Sequence, residues 1–567
     1  MQTITAQGAV GKPAASGDRP SRIHPPAAVP PGRRGRHAVA AALLLGVLLR
    51  LAQYAVNRSL WLDEALLAGN FLHRGWAGLM RPLDRGPTAP LGFLFVEKAA
   101  ALALGGSELV LRLAPLLAGI ATLVLLPRVA RRYVTRPAWP LAVALVALAP
   151  FLVYYASEVK PYAFDALASV AILGLAAAAA RRPRDGRRAA ALALGGAAAV
   201  WFSQPAVFML AGTGLCLGLR ALRRRDGRAV ALLAATAAAW CASFAPAYRV
   251  SRSQLTDPEY MRAFWRSGFL PLHPRTADEW TWLPRMVARA FREPLGILGH
   301  DPTPLSALAA AAAALLFAAA CAGVARRRRF GLALLLAPGV LAVCASAAQV
   351  YPFGSTAEAG GRVLVFLLPS LAFGAAEGAA VLRRLLPRAA GRAAFAAAAL
   401  LVLLPAASYA AFSVPQLRGE VKPLLEYAGE QRRPGDLMYV YYNGLPSFEY
   451  YAPRYGWDAA HTVRGACARL HPQAYVDDLA RLRGAPRVWV LVVEDGTPIG
   501  RFEKPLVVAV LEHLGRRLDD RVSVGASLYL YDLRQGRQAP FTFPVPPLPQ
   551  DPAMDCRGAW APLTPGA

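Results

Sequence analysis

The chain has 567 residues, of which 56% are hydrophobic and 17% are charged, and its mean hydropathy is +0.34. Soluble domains carry roughly 25% charged residues, so this composition excludes an ordinary soluble enzyme, a disordered basic protein and a disulfide scaffold. The net charge of +28 is typical of nucleic-acid-binding proteins, but the Lys and Arg residues lie in short clusters between long apolar runs. The sequence therefore indicates a polytopic membrane protein with no nucleic-acid partner.

Eleven apolar stretches approach the length of about 20 residues with which a helix crosses the hydrocarbon core. The predicted spans lie near residues 38–56, 109–127, 138–156, 163–180, 189–203, 205–222, 229–247, 306–325, 331–350, 362–382 and 393–412.

The basic clusters between these spans predict the orientation. A cytoplasmic N-terminus places 28 of the 63 Lys and Arg residues, but only three of the 35 acids, on the cytoplasmic side, as expected for membrane proteins. Residues 1–37 then form a disordered cytoplasmic tail, 38–412 the membrane domain, and 413–567 an extracytoplasmic domain. The competing interpretation of the N-terminus is a cleaved signal peptide. The short apolar segment 90–104 contains two charged residues and predicts an interfacial or re-entrant helix.

Three segments on the outer side are too long for simple turns, namely 57–108, 248–305 and the C-terminal domain. In that domain, β-branched and aromatic residues predict strands at 436–442, 487–493 and 527–533, separated by helical patterns. We expect a small, mainly parallel sheet covered by helices. Cys467 and Cys556 both lie in this domain, and a disulfide between them and a pair of free thiols are equally compatible with the sequence.

Ionisable residues that lie beside the spans are candidates for function. Asp63 and Glu64 follow the first span within SLWLDEA, although acids in the first turn of a helix also stabilise it. Glu158, Lys160 and Tyr162 follow the third span, where an interfacial Glu–Lys pair capped by tyrosines is the alternative.

Two arginines could bind an anion. Arg362 follows two glycines at the start of the tenth span, so its guanidinium and nearby backbone N–H groups could face one ligand, while a snorkelling side chain is the alternative. Arg85 lies in a Pro-rich turn of the first outer loop, which could equally be a rigid connector. The His residues show no metal-ligand spacing, so no metal is predicted, but a divalent ion beside Asp63 or Glu158 remains an open alternative.

An ordered series of motifs carries a family resemblance. The series is SLWLDEA (59–65), APLGF (89–93), SELVLRLAP (107–115), APFLVYYASEVKPYAFDAL (149–167), YPFG with GGRVLVFLLP (351–369) and GDLMYVYYNGLPSFEYYAPRYG (435–456). It resembles the integral-membrane glycosyltransferases of the C-type (GT-C) fold, in particular the RgtA/B/C/D-like proteins and the dolichyl-phosphate-mannose–protein mannosyltransferases (PMT-like), in a bacterial branch with an added outer domain.

The resemblance implies transfer of a sugar from a polyprenyl-phosphate donor to an acceptor hydroxyl, with inversion, at the outer face of a bacterial plasma membrane. The acceptor could be a protein, a lipid or a glycan. The family's loop acid matches Asp63, with Glu64 adjoining, and its later acid matches Glu158. Lys160, Arg362 and Arg85 are then the candidates for binding the donor phosphate. The alternative function is a transporter or flippase of a lipid-linked saccharide, for which inverted repeats and mid-membrane charges are expected.

Overall fold

The structure is a computed structural model. It describes residues 32–255, 258–293, 304–323, 329–354, 360–468, 471–494, 498–535 and 541–544. The predicted tail 1–37 lies almost entirely outside the described residues.

Helices dominate the part of the chain before residue 413. They are α1 (Arg33–Ala55), α2 (Leu62–His73), α3 (Leu91–Leu104), α4 (Glu108–Leu111), α5 (Leu113–Tyr133), α6 (Trp139–Ala147), α7 (Pro150–Tyr155), α8 (Tyr162–Arg181), α9 (Gly186–Ala199), α10 (Ala206–Arg223), α11 (Gly227–Ser253), α12 (Pro258–Phe264), α13 (Ala277–Trp280), α14 (Trp282–Arg292), α15 (Pro304–Gly323), α16 (Arg329–Ala347), α17 (Leu368–Leu385) and α18 (Arg388–Phe412). A 3₁₀ segment, Gly360–Leu367, leads directly into α17.

Within the described residues, nine helices are long and apolar enough to cross a membrane, which confirms a multi-pass membrane protein. They are α1, α5, α8, α10, α11, α15, α16, the helix over 361–385 that contains α17, and α18. The two other predicted spans are shorter in the structure. The third is divided into α6 and α7 at Leu148-Ala149, because Pro150 lacks the N–H that would continue the helix and starts a new one. The fifth is α9, which has 14 residues.

The helix α3 matches the short amphiphilic segment that the sequence predicts at 90–104. The backbone N–H of Ser59 donates to the side-chain carboxylate of Glu420, so the loop after α1 and the segment after α18 lie on one side of the membrane. An even number of crossings must therefore separate them, and the candidate helices between them satisfy this condition. Adding α3 alone would make the number odd, which supports its interfacial or re-entrant placement.

After residue 413, helices and strands form one α/β unit. The helices are α19 (Lys422–Gln431), α20 (Leu445–Tyr451), α21 (Pro472–Ala480) and α22 (Pro498–Leu514), and the strands are β1 (Leu437–Val440), β2 (Thr462–Arg464), β3 (Val488–Val493), β4 (Arg516–Ser523) and β5 (Ala526–Asp532). The strand order is β2-β1-β3-β5-β4. The pairs β1–β2 and β1–β3 are parallel, whereas β3–β5 and β4–β5 are antiparallel. The sheet is mixed, so the expectation of a mainly parallel sheet is wrong, because β4 and β5 are joined by a tight hairpin.

The loop over residues 57–108, here called the first loop, and the C-terminal unit share one hydrophobic core. Leu60, Phe71 and Leu83 of the loop pack in the same cluster as Tyr451 and Trp489 of the C-terminal unit, and all five are buried. Hydrogen bonds reinforce the contact, for example from the backbone N–H of Leu60 to the Tyr451 hydroxyl at 2.8 Å. The loop 57–108 therefore folds as part of the C-terminal unit.

Cys467 is buried in this unit and is disulfide-bonded. Cys556, the partner proposed from the sequence, lies outside the described residues, so the pairing itself stays a prediction.

The number of membrane-spanning helices between two loops predicts whether the loops lie on the same side of the membrane. Five candidate spans, α11, α15, α16, the helix over 361–385 and α18, separate the Arg224–Asp226 turn from Ser413. Because five is odd, we expect a reporter inserted at the turn to be cytoplasmic and one fused after Phe412 to be external. Paired alkaline-phosphatase and fluorescent-protein fusions measure this. The same side for both fusions would contradict the arrangement.

Candidate active site

The candidate site lies where the first loop, the α7–α8 connection and the start of the helix over 361–385 meet. Asp63 is the second residue of α2, Lys160 lies just before α8, and Arg362 lies in the 3₁₀ segment that leads into α17. Nη1 of Arg362 donates to Oδ2 of Asp63 at 2.6 Å, and Nζ of Lys160 is 3.9 Å from the same oxygen. Three residues that are far apart in the sequence thus converge at one carboxylate.

The three side chains lie at the edge of the protein interior. Their exposed fractions are 20% for Asp63, 11% for Lys160 and 16% for Arg362, so the cluster is largely dehydrated but still accessible. Tyr162 lies beside it, with its ring centroid 4.5 Å from that of Tyr155. An accessible cluster of two cations and one carboxylate is suited to an anionic ligand that replaces the carboxylate.

The surrounding charges lower the pKa of Asp63. Burial alone would raise it, but the positive charges of Lys160, Arg362 and Arg418, together with the hydrogen bond from Arg362, hold the pKa at about 2. The carboxylate is therefore ionised throughout the physiological range. Burial lowers the pKa of Lys160, and the nearby Asp63 charge partly offsets this effect.

Glu64, the neighbour of Asp63, points into the protein and is completely buried. Arg112 binds both of its oxygens, from Nε at 2.9 Å and from Nη2 at 2.7 Å. Arg58 donates to it at 2.8 Å, and the backbone N–H of Val159 donates at 3.0 Å. Burial alone would raise the pKa of Glu64, but the positive charges of Arg112 and Arg58 stabilise the ionised carboxylate and lower the pKa.

Glu158 is also buried, but it is less well paired than Glu64. Its Oε1 accepts a hydrogen bond from the indole N–H of Trp61 at 2.7 Å, while Oε2 is buried without a partner among the described residues. Burial and the negative charge of Glu64 raise the pKa of Glu158 to about 7. Its charge therefore changes within the physiological range.

Arg85 is the one predicted phosphate-binding residue that the structure places elsewhere. Its guanidinium donates to Glu449 of α20 at 2.7 Å, and only 4% of its side chain is exposed. A small cavity beside this pair is lined by Asn70, Asp84 and Tyr450, among others. Arg85 thus connects the first loop to the C-terminal unit.

No group of three or more His, Cys, Asp or Glu side chains in the described ranges could hold a metal ion. The nearest partners of Asp63 are cations, and Glu158 receives a hydrogen bond from an indole. These contacts do not form a ligand set for a divalent ion, which requires several oxygen ligands.

Three neighbours of the site are not singled out by the sequence. Arg58 lies six residues before Glu64, so a basic residue near an interfacial acid is a sequence signal for this pairing, whereas Arg112 lies 48 residues further along the chain and no local signal indicates it. Arg418 stacks on Trp61, with its guanidinium carbon 3.5 Å from the ring centroid. It belongs to an irregular segment after α18, so no local periodicity indicates it.

No protein-family model matches the chain, and no curated protein matches it. Among solved structures, it is similar to ArnT from Cupriavidus metallidurans bound to undecaprenyl phosphate, with 16% identity over 87% of this chain and 97% of that chain, at a TM-score of 0.46. It is also similar to the oligosaccharyltransferase AglB from Archaeoglobus fulgidus in complex with an inhibitory peptide and a dolichol-phosphate, with 12% identity over 88% of this chain and 74% of that chain, at a TM-score of 0.47. Such low values assign neither a family nor a function to this chain.

Proposed function

We propose that this protein is a GT-C-type glycosyltransferase that transfers a sugar from a polyprenyl-phosphate donor to an acceptor hydroxyl at the face that carries the C-terminal unit. The observation that carries the proposal is the convergence of Asp63, Lys160 and Arg362 beside the membrane helices. A lipid-linked donor keeps its phosphate at the membrane interface, and this cluster offers cations at the end of a membrane-spanning helix.

In the proposed reaction the acceptor oxygen attacks the anomeric carbon of the donor while the bond from that carbon to the phosphate oxygen breaks. The phosphate leaves with the bonding electron pair, and the acceptor proton passes to a base. A single displacement of this kind inverts the anomeric configuration. Lys160 and Arg362 stabilise the growing negative charge on the phosphate, as preorganised cations do in low-dielectric sites.

Asp63 is the base in this scheme, although its pKa of about 2 makes it a weak one before the donor binds. Its low pKa depends on the same cations that the donor phosphate would occupy. A phosphate bound to Arg362 and Lys160 neutralises their charge and frees Oδ2 of Asp63. Burial then raises the pKa of the carboxyl, so donor binding prepares the base for the acceptor.

Glu64 has a different role in our proposal. Its oxygens are occupied by two arginines and a backbone N–H group, so it cannot reach a substrate without breaking a buried ion network. We assign it to positioning: Glu64 fixes α2, and thereby its neighbour Asp63, relative to Val159, which is next to Lys160.

Replacement of Asp63 by Asn tests the base. We expect Asp63→Asn to lower kcat by about 10²–10⁴-fold, because general-base catalysis contributes that much. Purified protein in nanodiscs, labelled polyprenyl-phosphate sugars and a panel of acceptors provide the assay. Asp84→Asn is the matched control, since Asp84 lies in the same loop but pairs with Arg74. Full activity of Asp63→Asn would contradict the assignment.

The same preparation separates transfer from transport. A wild-type protein that moves a lipid-linked sugar between vesicle leaflets, yet forms no new glycosidic bond with any donor and acceptor, would favour the flippase.

The raised pKa of Glu158 predicts a pH dependence. Glu158 is mostly neutral below about pH 7 and becomes anionic above it, where its charge opposes the binding of a phosphate diester whose own charge does not change. We expect the donor KM of the wild type to rise as the pH passes through about 7. The Glu158→Gln variant should show a flat KM across that range. An equal rise in both proteins would exclude Glu158 as the titrating group.

The buried network around Glu64 predicts a large stability effect. Removing one partner of a buried ion pair typically costs about 3–5 kcal/mol, so Arg112→Met should greatly lower the unfolding temperature in detergent. The control is Arg184→Met, which breaks a pair with Asp226 in which the arginine side chain is 70% exposed, and it should cost less than about 1 kcal/mol. An Arg112→Met protein that unfolds at the same temperature as the control variant would contradict the structural role assigned to the network around Glu64.

A further inference from the structure

The segment between α18 and α19 passes across the candidate site. Within it, Gly419 has φ +60, a conformation that favours glycine, and a Cβ there would lie 3.2 Å from the Cβ of Trp61, closer than an ordinary contact. The next residue, Glu420, accepts hydrogen bonds from the backbone N–H and the hydroxyl of Ser59. Lys422 donates from Nζ to the carbonyl of Asn57 at 2.5 Å. The segment is therefore held firmly against the first loop.

This anchoring places the Arg418 guanidinium over the ring of Trp61, with its central carbon 3.5 Å from the ring centroid. The indole N–H of Trp61 in turn binds Glu158, and Asp63 is two residues further along the chain. Arg418 is close enough to act electrostatically on both carboxylates. A cation on an aromatic face keeps its charge while its orientation is restricted.

Arg418 differs from the other arginines of the site in its pairing. Arg58 and Arg112 bind Glu64, and Arg362 binds Asp63. Within the described ranges, Arg418 forms neither a salt bridge nor a hydrogen bond, and its side chain is half-buried. Its N–H donors are thus available to a ligand, although stacking and the anchored backbone hold the group in place.

The charges around the site favour a further anion. The charge of Arg362 is neutralised by Asp63, and Glu158 is anionic only at higher pH. Among the described residues, the site therefore keeps an excess of positive charge, which is carried by Lys160 and Arg418. Planar guanidinium groups bind phosphate oxygens through two parallel hydrogen bonds, which an ammonium group cannot do.

We propose that Arg418 is a third cation for the phosphate of the lipid donor, acting with Lys160 and Arg362; this inference rests on the proposed function. The donor site is then completed by the segment that follows the last membrane helix. Trp61 covers one face of the Arg418 guanidinium, so a phosphate would bind at the edge of the group, where its N–H donors lie.

The test measures binding of undecaprenyl phosphate, which carries no sugar, to the full chain in nanodiscs by calorimetry. We expect Arg418→Gln to weaken binding by about tenfold or more, as for loss of a charge-assisted hydrogen bond. Arg418→Lys should recover part of the affinity because it keeps the charge. The matched control is Arg432→Gln, since Arg432 stacks on Trp457 of the C-terminal unit in the same way, at 4.4 Å.

The outcomes distinguish this inference from the proposed function. Unchanged affinity of Arg418→Gln, together with weakened binding by Lys160→Gln, would overturn the role of Arg418 and leave the proposed function standing. If the wild type binds no undecaprenyl phosphate, the proposed function itself fails. If Arg418→Gln does not remain monodisperse, Arg418→Lys decides: a several-fold loss supports the inference, and wild-type affinity overturns it.

Discussion

The carboxylate of Glu64 is surrounded by Arg58, Arg112 and the backbone of Val159, with no access to water. These groups come from the start of the first loop, the α4–α5 junction and the α7–α8 connection. A buried carboxylate is tolerated only when its charge and its oxygens are fully satisfied, so all three segments must be in place together. The position of Asp63 follows from this network, because its neighbour cannot move independently.

A second consequence concerns the resting state of the site. The ion pair between Asp63 and Arg362 keeps both groups ordered and partly dehydrated without a ligand. An entering anion must replace that ion pair, and this replacement lowers the affinity of the anion. The same requirement discriminates against ligands that cannot contact several cations at once. If the cluster binds the donor phosphate as proposed, this arrangement favours an anion that contacts several cations over one that contacts a single cation.

Composition and periodicity predict most of the scaffold. The apolar strands β1, β3 and β5 and most membrane helices follow from local patterns, whereas β4 does not, because its exposed charged residues match an edge strand rather than a core one. Asp63 and Glu64 are indistinguishable in sequence, since only the three-dimensional surroundings separate an accessible carboxylate from a buried one. Arg85 is likewise a type of residue that often binds phosphate, but in the structure its guanidinium forms a salt bridge with Glu449.

The core shared by the first loop and the C-terminal unit links the two ends of the chain during biosynthesis. Ser59 emerges from the ribosome long before Glu420, its hydrogen-bonding partner 361 residues later. Until then, Leu60 and Phe71 lack the apolar surface of the C-terminal unit that completes their core, and contacts of such high sequence separation form late in folding. The loop must therefore stay free of aggregation until the C-terminal unit has been synthesised, so assembly of the site waits for that unit to fold.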